Sequence, residues 1–217
     1  MIFITGAHAT GKNYTANIIC RNNFEEIDLG PTIRSAYKNS DTEKTFAEWI
    51  RDGELKHGKN FADELLVKEI KNAIYKSTKN GKSPVDFLII GSRSVSGLRY
   101  ILGHIGKYKN KDNKIIYLEA PFKVMYERYK KREGIDIAES EFQKLLDKDR
   151  AMGIEELRTI ADYIIVNNLT REQLTKEIGN LLRDKLKYTE LEKTLGNENK
   201  MTRIFKIGTV FNKIDGK

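Results

Sequence analysis

Apolar residues recur along this chain in two rhythms. Short runs that are apolar at successive positions occur at Met1 to Thr5, Phe87 to Ile90, Lys114 to Leu118 and Tyr163 to Val166. A strand that is apolar on both faces must be covered on both sides, which describes the central strands of a parallel sheet. A further short strand is expected over Phe24 to Leu29, closed by Gly30-Pro31. Between these runs the apolar spacing changes to three and four, which is the helical period. Phe61, Leu65, Leu66, Ile70, Ala73 and Ile74 mark a helix over Asn60 to Ser77, ended by Asn80-Gly81 and Pro84. Leu174, Ile178, Leu181, Leu182 and Leu186 mark another over Arg171 to Leu186. Helices are also expected after Gly11, from Thr32 to Tyr37, from Thr45 to Ile50, from Pro121 to Arg132 and from Glu139 to Leu157. Strands alternating with helices predict an α/β fold.

The chain has 217 residues, which suits one principal domain with a sizeable core. The pattern changes after about Tyr188, so residues 188–217 are read as an appendage, with Arg203 to Ile214 a bent strand or a hairpin about Gly208. No apolar run reaches the length of a membrane span, and the N-terminus shows no secretory pattern, so a cytoplasmic protein is expected. A single cysteine, Cys20, rules out an internal disulfide and lies in an apolar helical stretch, where packing explains it. The formal net charge of +8 suits anionic partners, although the basic residues are spread along the whole chain.

The first apolar run leads directly into Gly6-Ala7-His8-Ala9-Thr10-Gly11-Lys12, followed by helical spacing. Strand, glycine-bounded loop, lysine and helix together make a P-loop. Its glycines turn the backbone so that successive N–H groups cradle phosphates, and Lys12 reaches the β- and γ-phosphates. Gly6, Ala7, His8, Ala9, Thr10, Gly11, Lys12, Asn13 and Tyr14 are therefore the candidate nucleotide-binding residues. The hydroxyl residue that follows the lysine in most such loops, a Mg²⁺ contact, is here Asn13, whose amide oxygen is the metal donor on offer. No aspartate ends the Phe87 to Ile90 strand; Asp86 precedes it, and Asp28 ends the Phe24 strand. His8, His57 and His104 have no metal-ligand spacing, and His8 reads as an exposed loop residue. Asn212-Lys213-Ile214-Asp215 matches a guanine-reading motif but lies too close to the end of the sequence to build a base pocket.

Phosphoryl transfer needs positioning and neutralisation of charge, and arginine's planar fork suits both. Arg34 follows Gly30-Pro31, Arg93 follows Gly91-Ser92, and Arg128, Arg132 and Arg150 flank the helical region after Leu118. In this order the segments GAHATGK, Gly30 to Arg34, Ile89 to Arg93, Tyr117 to Pro121 with Arg128 and Arg132, and Ala161 to Asn168 resemble the nucleoside monophosphate kinase group of P-loop kinases over about residues 1–187. That group includes adenylate, deoxynucleotide and dephospho-coenzyme A kinases. The resemblance implies a five-stranded parallel sheet with helices on both faces, a short helical lid over about residues 122–152, and ATP with Mg²⁺ on the loop. Arg34, Arg93 and Arg150 would hold the acceptor, and Lys12, Arg93, Arg128 and Arg132 would act on the transferred phosphoryl group. The acceptor implied first is a (deoxy)nucleoside monophosphate. Dephospho-coenzyme A or a nucleic-acid 5′ end is the alternative, and a nucleotide-binding regulatory protein with a degenerate site is the rival of another class. The lid stretch Lys130 to Gly134 carries no zinc-binding cysteines.

Overall fold

The computed structural model describes residues 1–22, 24–79, 86–105, 113–185 and 210–212. Five parallel strands, β1 (Ile2–Thr5), β2 (Phe24–Asp28), β3 (Asp86–Ser92), β4 (Lys114–Glu119) and β5 (Tyr163–Val166), stand in the order β2-β3-β1-β4-β5. A short strand β6 (Val210–Asn212) extends the sheet by pairing antiparallel with β5, which is the only described part of the expected appendage. The helices are α1 (Lys12–Cys20), α2 (Leu29–Lys38), α3 (Phe46–His57), α4 (Phe61–Lys79), α5 (Val95–Ile105), α6 (Phe122–Glu133), α7 (Glu139–Ala151), α8 (Glu156–Ile160) and α9 (Arg171–Asn180), the last running into a wider turn over Leu181–Lys185.

The strand period of two sorts the core into two layers. Ile2 and Ile4 of β1, Leu88 and Ile90 of β3, and Ile116 and Leu118 of β4 face α1 and α9 through Ile19, Leu174 and Ile178. Phe3, Phe87, Ile89, Ile115 and Tyr117 face the other way, onto Leu66 and Ile70 of α4, Leu98 and Ile101 of α5, and Leu157 of α8. The fold is a three-layer α/β sandwich, as the double-sided strands require. Among the described residues no helix is long and apolar enough to cross a membrane.

Two local expectations are corrected. Gly30-Pro31 does not end β2 in a loop; Asp28 caps α2 by accepting from the Gly30 N–H at 3.0 Å, and Pro31 sits in the first helical turn. Proline is tolerated there because first-turn N–H groups lack helical partners anyway. The expected helix from Glu139 to Leu157 is two helices, broken at Gly153, whose φ of +88° an L side chain rarely adopts.

A third, smaller apolar cluster holds α6 and α7 together. Met125, Phe142 and Leu146 are buried in it, with Ala7 and Ala9 of the loop after β1 packed against them. The helical pair 122–151 therefore rests on the glycine-bounded loop through side chains at the loop's variable positions.

Candidate functional site

The loop from Gly6 to Gly11 joins the end of β1 to the start of α1, and its geometry explains its glycines. A Cβ on Gly6 would stand 2.2 Å from the Leu118 carbonyl oxygen, at φ +140°. A Cβ on Gly11 would stand 2.3 Å from Asn167 Nδ2, at φ +101°. Ala9 is held at φ +58°, a conformation costing a residue with a Cβ about 1–2 kcal/mol, so the loop is constrained by its surroundings. Thr10 is buried, and its hydroxyl donates across the loop to the Ala7 carbonyl at 2.9 Å.

Lys12 opens α1 and folds back over the loop, donating to the Gly6 and Ala7 carbonyls at 2.7 Å each. Burial pushes its pKa down to about 8; Asp149 opposes that shift and Arg93 and Arg132 add to it. The ammonium is thus a crowded, poorly solvated cation whose charge a polyphosphate would stabilise.

Asp149 of α7 is one of two residues here that the sequence pattern did not reveal. Its carboxylate is buried and accepts from the His8 backbone N–H at 2.8 Å. It also bonds His8 Nδ1 at 2.5 Å and accepts from Arg93 Nη1 at 3.3 Å. Burial acts to raise its pKa, but His8 and the Arg93 charge outweigh that and hold it below the ordinary aspartate value. In the sequence Asp149 lies in the run Asp147-Lys148-Asp149-Arg150, which looks like any solvated helix face. His8 is corrected with it: far from a free loop residue, it is bracketed by Asp149 and Arg93, with Arg93 Nη2 3.5 Å from Nε2.

The other predicted residues divide. Arg93 stands beside the loop, at the end of β3. Arg128 of α6 donates to the Asn167 carbonyl at 3.0 Å, to its side-chain oxygen at 3.3 Å and to the Leu169 carbonyl at 3.4 Å, and burial lowers its pKa. Arg132 lies near enough for its charge to act on Lys12, while its Nε donates to Glu133 at 2.7 Å. Arg34 is exposed and lies over Gly30, a Cβ on which would meet its Nη1 at 3.3 Å. Arg150 is held in exposed pairs with Asp147 and Glu155, at 2.8 and 2.7 Å, so in this structure its neighbour Asp149 meets the loop in its stead. Tyr14 turns its ring toward α9, under Arg171 and with its hydroxyl 3.3 Å from Thr175, so only its backbone belongs to the cradle.

Asn167, just past β5, is a second missed residue. It is buried, donates to the Thr10 carbonyl at 2.7 Å and is bonded by Arg128, so it ties loop, strand end and α6 together. The sequence shows only two asparagines after a strand.

Oxygen donors for Mg²⁺ are few. Among the described residues no three or more His, Cys, Asp or Glu side chains cluster as a metal cage. Asn13 is exposed at the start of α1, and the strand-end position holds Ser92, whose buried hydroxyl lacks a hydrogen-bond partner. Ser92 sits next to the loop, because Thr5 Oγ1 donates to its carbonyl at 2.7 Å. An orphaned hydroxyl and an amide oxygen fit a Mg²⁺ held mainly by phosphates and water. Cys20 is no competing nucleophile, since burial raises its thiol to about 11 and Glu26 adds to the shift.

Comparison with known proteins bears on the fold. No family model matches the chain. Its relatives include the UPF0200 protein of Pyrococcus abyssi, 24% identical over 190 residues, covering 84% of this chain and 95% of the relative. The UPF0200 protein of Pyrococcus horikoshii is 25% identical over 185 residues, covering 82% and 93%. That of Sulfurisphaera tokodaii is 25% identical over 192 residues, covering 84% and 96%. Among solved structures, the Deinococcus radiodurans tunicamycin resistance protein superposes with a TM-score of 0.50 at 15% identity, over 83% of this chain and 94% of that one. The fold is an α/β fold of the P-loop type, with five parallel strands between helical layers. In open α/β sheets ligands sit beyond the carboxyl ends of the strands, which is where the loop from Gly6 to Lys12 and the ends of β2 and β3 lie.

Proposed function

We propose that this protein transfers the γ-phosphoryl group of ATP to a nucleotide. The observation that carries the reading is the convergence of one lysine and two arginines, Lys12, Arg93 and Arg132, on a glycine-bounded loop whose shape excludes side chains at both ends. The buried Asp149 offsets part of that charge, and the remainder favours an incoming anion.

In this reading the loop amides and Lys12 bind the donor phosphates. Arg93 and Arg132 neutralise charge on the phosphoryl group in its loose transition state. Arg128 and Asn167 fix the wall between the loop and the end of β5. Arg34, over the start of α2, holds the acceptor nucleotide from the other side of the crevice, together with Arg93. Arg150 would join them only by leaving Asp147 and Glu155. Mg²⁺, when bound, would draw charge from the β- and γ-phosphates, with Asn13 and Ser92 its protein contacts. The pair α6–α7, packed on the loop through Phe142, serves as the lid that excludes water during transfer.

The test is ADP production with ATP and Mg²⁺ across a panel of nucleoside and deoxynucleoside monophosphates, dephospho-coenzyme A and 5′-hydroxyl oligonucleotides. Turnover that requires one acceptor and is lost in Lys12→Ala supports the reading. Tight ATP binding with no acceptor-dependent turnover favours a regulatory nucleotide-binding protein instead.

A further inference from the structure

A phosphate acceptor and a hydroxyl acceptor make different demands on a kinase. A nucleotide's phosphate is already largely ionised near pH 7, with a second pKa of about 6, and needs no proton removed before it attacks. A hydroxyl keeps its proton until the transfer itself, so a site built for one gains from a base aimed at that proton. Any base in this crevice therefore bears on the acceptor's chemistry.

Two carboxylates come close to the loop. Asp28 is engaged, capping α2 through the Gly30 N–H. Asp149 is engaged too, but with a histidine in the loop itself, at 2.5 Å from Nδ1. A carboxylate held below its ordinary pKa is an acceptor only, so the proton between them belongs to Nδ1 of the imidazole. In the neutral ring Nε2 then carries the lone pair. Arg93 Nη2 faces that nitrogen at 3.5 Å, and a guanidinium can only donate, which agrees with the assignment. The second His8 bond to Asp149, from its backbone N–H at 2.8 Å, fixes the ring's root as well as its edge. An oriented imidazole with an accepting nitrogen thus projects from the loop toward the arginine just past β3.

We propose that His8, oriented by Asp149, is the general base of this enzyme, and that the group it phosphorylates is a hydroxyl of the acceptor instead of its phosphate. The proposal rests on the phosphotransferase reading above. Substrate anions draw Arg93 away from Nε2, and the acceptor hydroxyl takes its place. The hydroxyl proton passes to Nε2 as its oxygen bonds to the γ-phosphorus. The bond from that phosphorus to the β-phosphate's bridging oxygen breaks, and ADP leaves with the electron pair. The imidazolium, stabilised by Asp149, returns its proton to solvent. His8 touches the reacting atoms and is catalytic; Asp149 acts through it and is a positioning residue.

Two measurements on the full chain test this. The first is a long-range ¹⁵N–¹H NMR spectrum at neutral pH, with His8→Gln used to assign the His8 signals. The expected result is a neutral ring protonated on Nδ1, changing to Nε2 in Asp149→Asn, whose amide can donate to Nδ1. A wild-type ring protonated on Nε2 overturns the proposal whatever the acceptor proves to be. The second is ³¹P NMR of the product formed with the acceptor that supports turnover. The expected product is a phosphate ester on carbon, with kcat falling about 10²- to 10⁴-fold in His8→Ala, KM for ATP within about threefold, and partial rescue by added imidazole. A new phosphoanhydride on the acceptor, or a His8→Ala kcat within about twofold of wild type, overturns the proposal and leaves the kinase reading standing. Tighter ATP binding in Asp149→Asn with unchanged kcat also overturns it, since Asp149 would then be an internal anion filling the empty loop. Absence of any Lys12-dependent turnover removes the kinase reading itself, and the proposal with it.

Discussion

Lys12 carries most of the chemistry legible at the scale of single residues. Burial lowers its pKa to about 8 from the ordinary 10.5, so the free protein loses this charge as pH rises through 8. A bound polyphosphate favours the charged form and raises the pKa again. Nucleotide affinity is therefore full below about pH 8 and falls above it by up to about tenfold per pH unit. Titration calorimetry with ATP from pH 7 to 9.5 checks this, and Lys12→Ala should flatten the decline as well as weaken binding. Gly6 gives a second prediction at this scale. Gly6→Ala drives a methyl group into the Leu118 carbonyl at a φ that alanine avoids, and should cost about 2–4 kcal/mol in chemical denaturation. Both residues were legible in the sequence, because GxxxxGK between a strand and a helix has one economical meaning. Asp149, Asn167 and the bracketing of His8 were not. Each acts through a partner between 85 and 157 positions away, and hydrophobic period reports no such pairing.

The central strands β1, β3 and β4 were legible as elements because burial on both faces writes a continuous apolar run, and the apolar run Tyr163–Val166 was expected to the residue. Helix ends were less so, since they depend on caps and left-handed residues such as Gly153. What joins elements was invisible. Phe142 is fully buried between α6 and α7, in the cluster that also seats Ala7 and Ala9. Phe142→Ala should cost about 3–5 kcal/mol if that cluster unfolds together with the sheet. A sharper signature is expected from limited proteolysis: cleavage between Glu133 and Glu139 should accelerate while the sheet core stays protected. Asn167→Ala frees the Thr10 carbonyl and takes an acceptor from Arg128, so it should cost about 1–3 kcal/mol and weaken ATP binding together. Loss of stability with unaltered ATP affinity would assign Asn167 to the scaffold alone.

At the scale of the whole molecule, the sheet brings the ends of β1, β2 and β3 to one edge, and α6–α7 packs on the loop at that edge. The order β2-β3-β1-β4-β5 puts the loop after β1 next to the ends of β3 and β4, with β2 beyond β3, so Arg34 and Arg93, which were expected to meet the acceptor, both lie on the β2–β3 side of the loop. The central claim is that charge gathered there moves a phosphoryl group between two nucleotides. Its most direct test uses ATP labelled in the γ-phosphoryl group, following the label with and without the acceptor panel in wild type and Lys12→Ala. The account predicts label in an organic acceptor, in amounts equal to the ADP formed, and none with Lys12→Ala. Label found only in inorganic phosphate, or retained in ATP while the nucleotide stays bound, would contradict it.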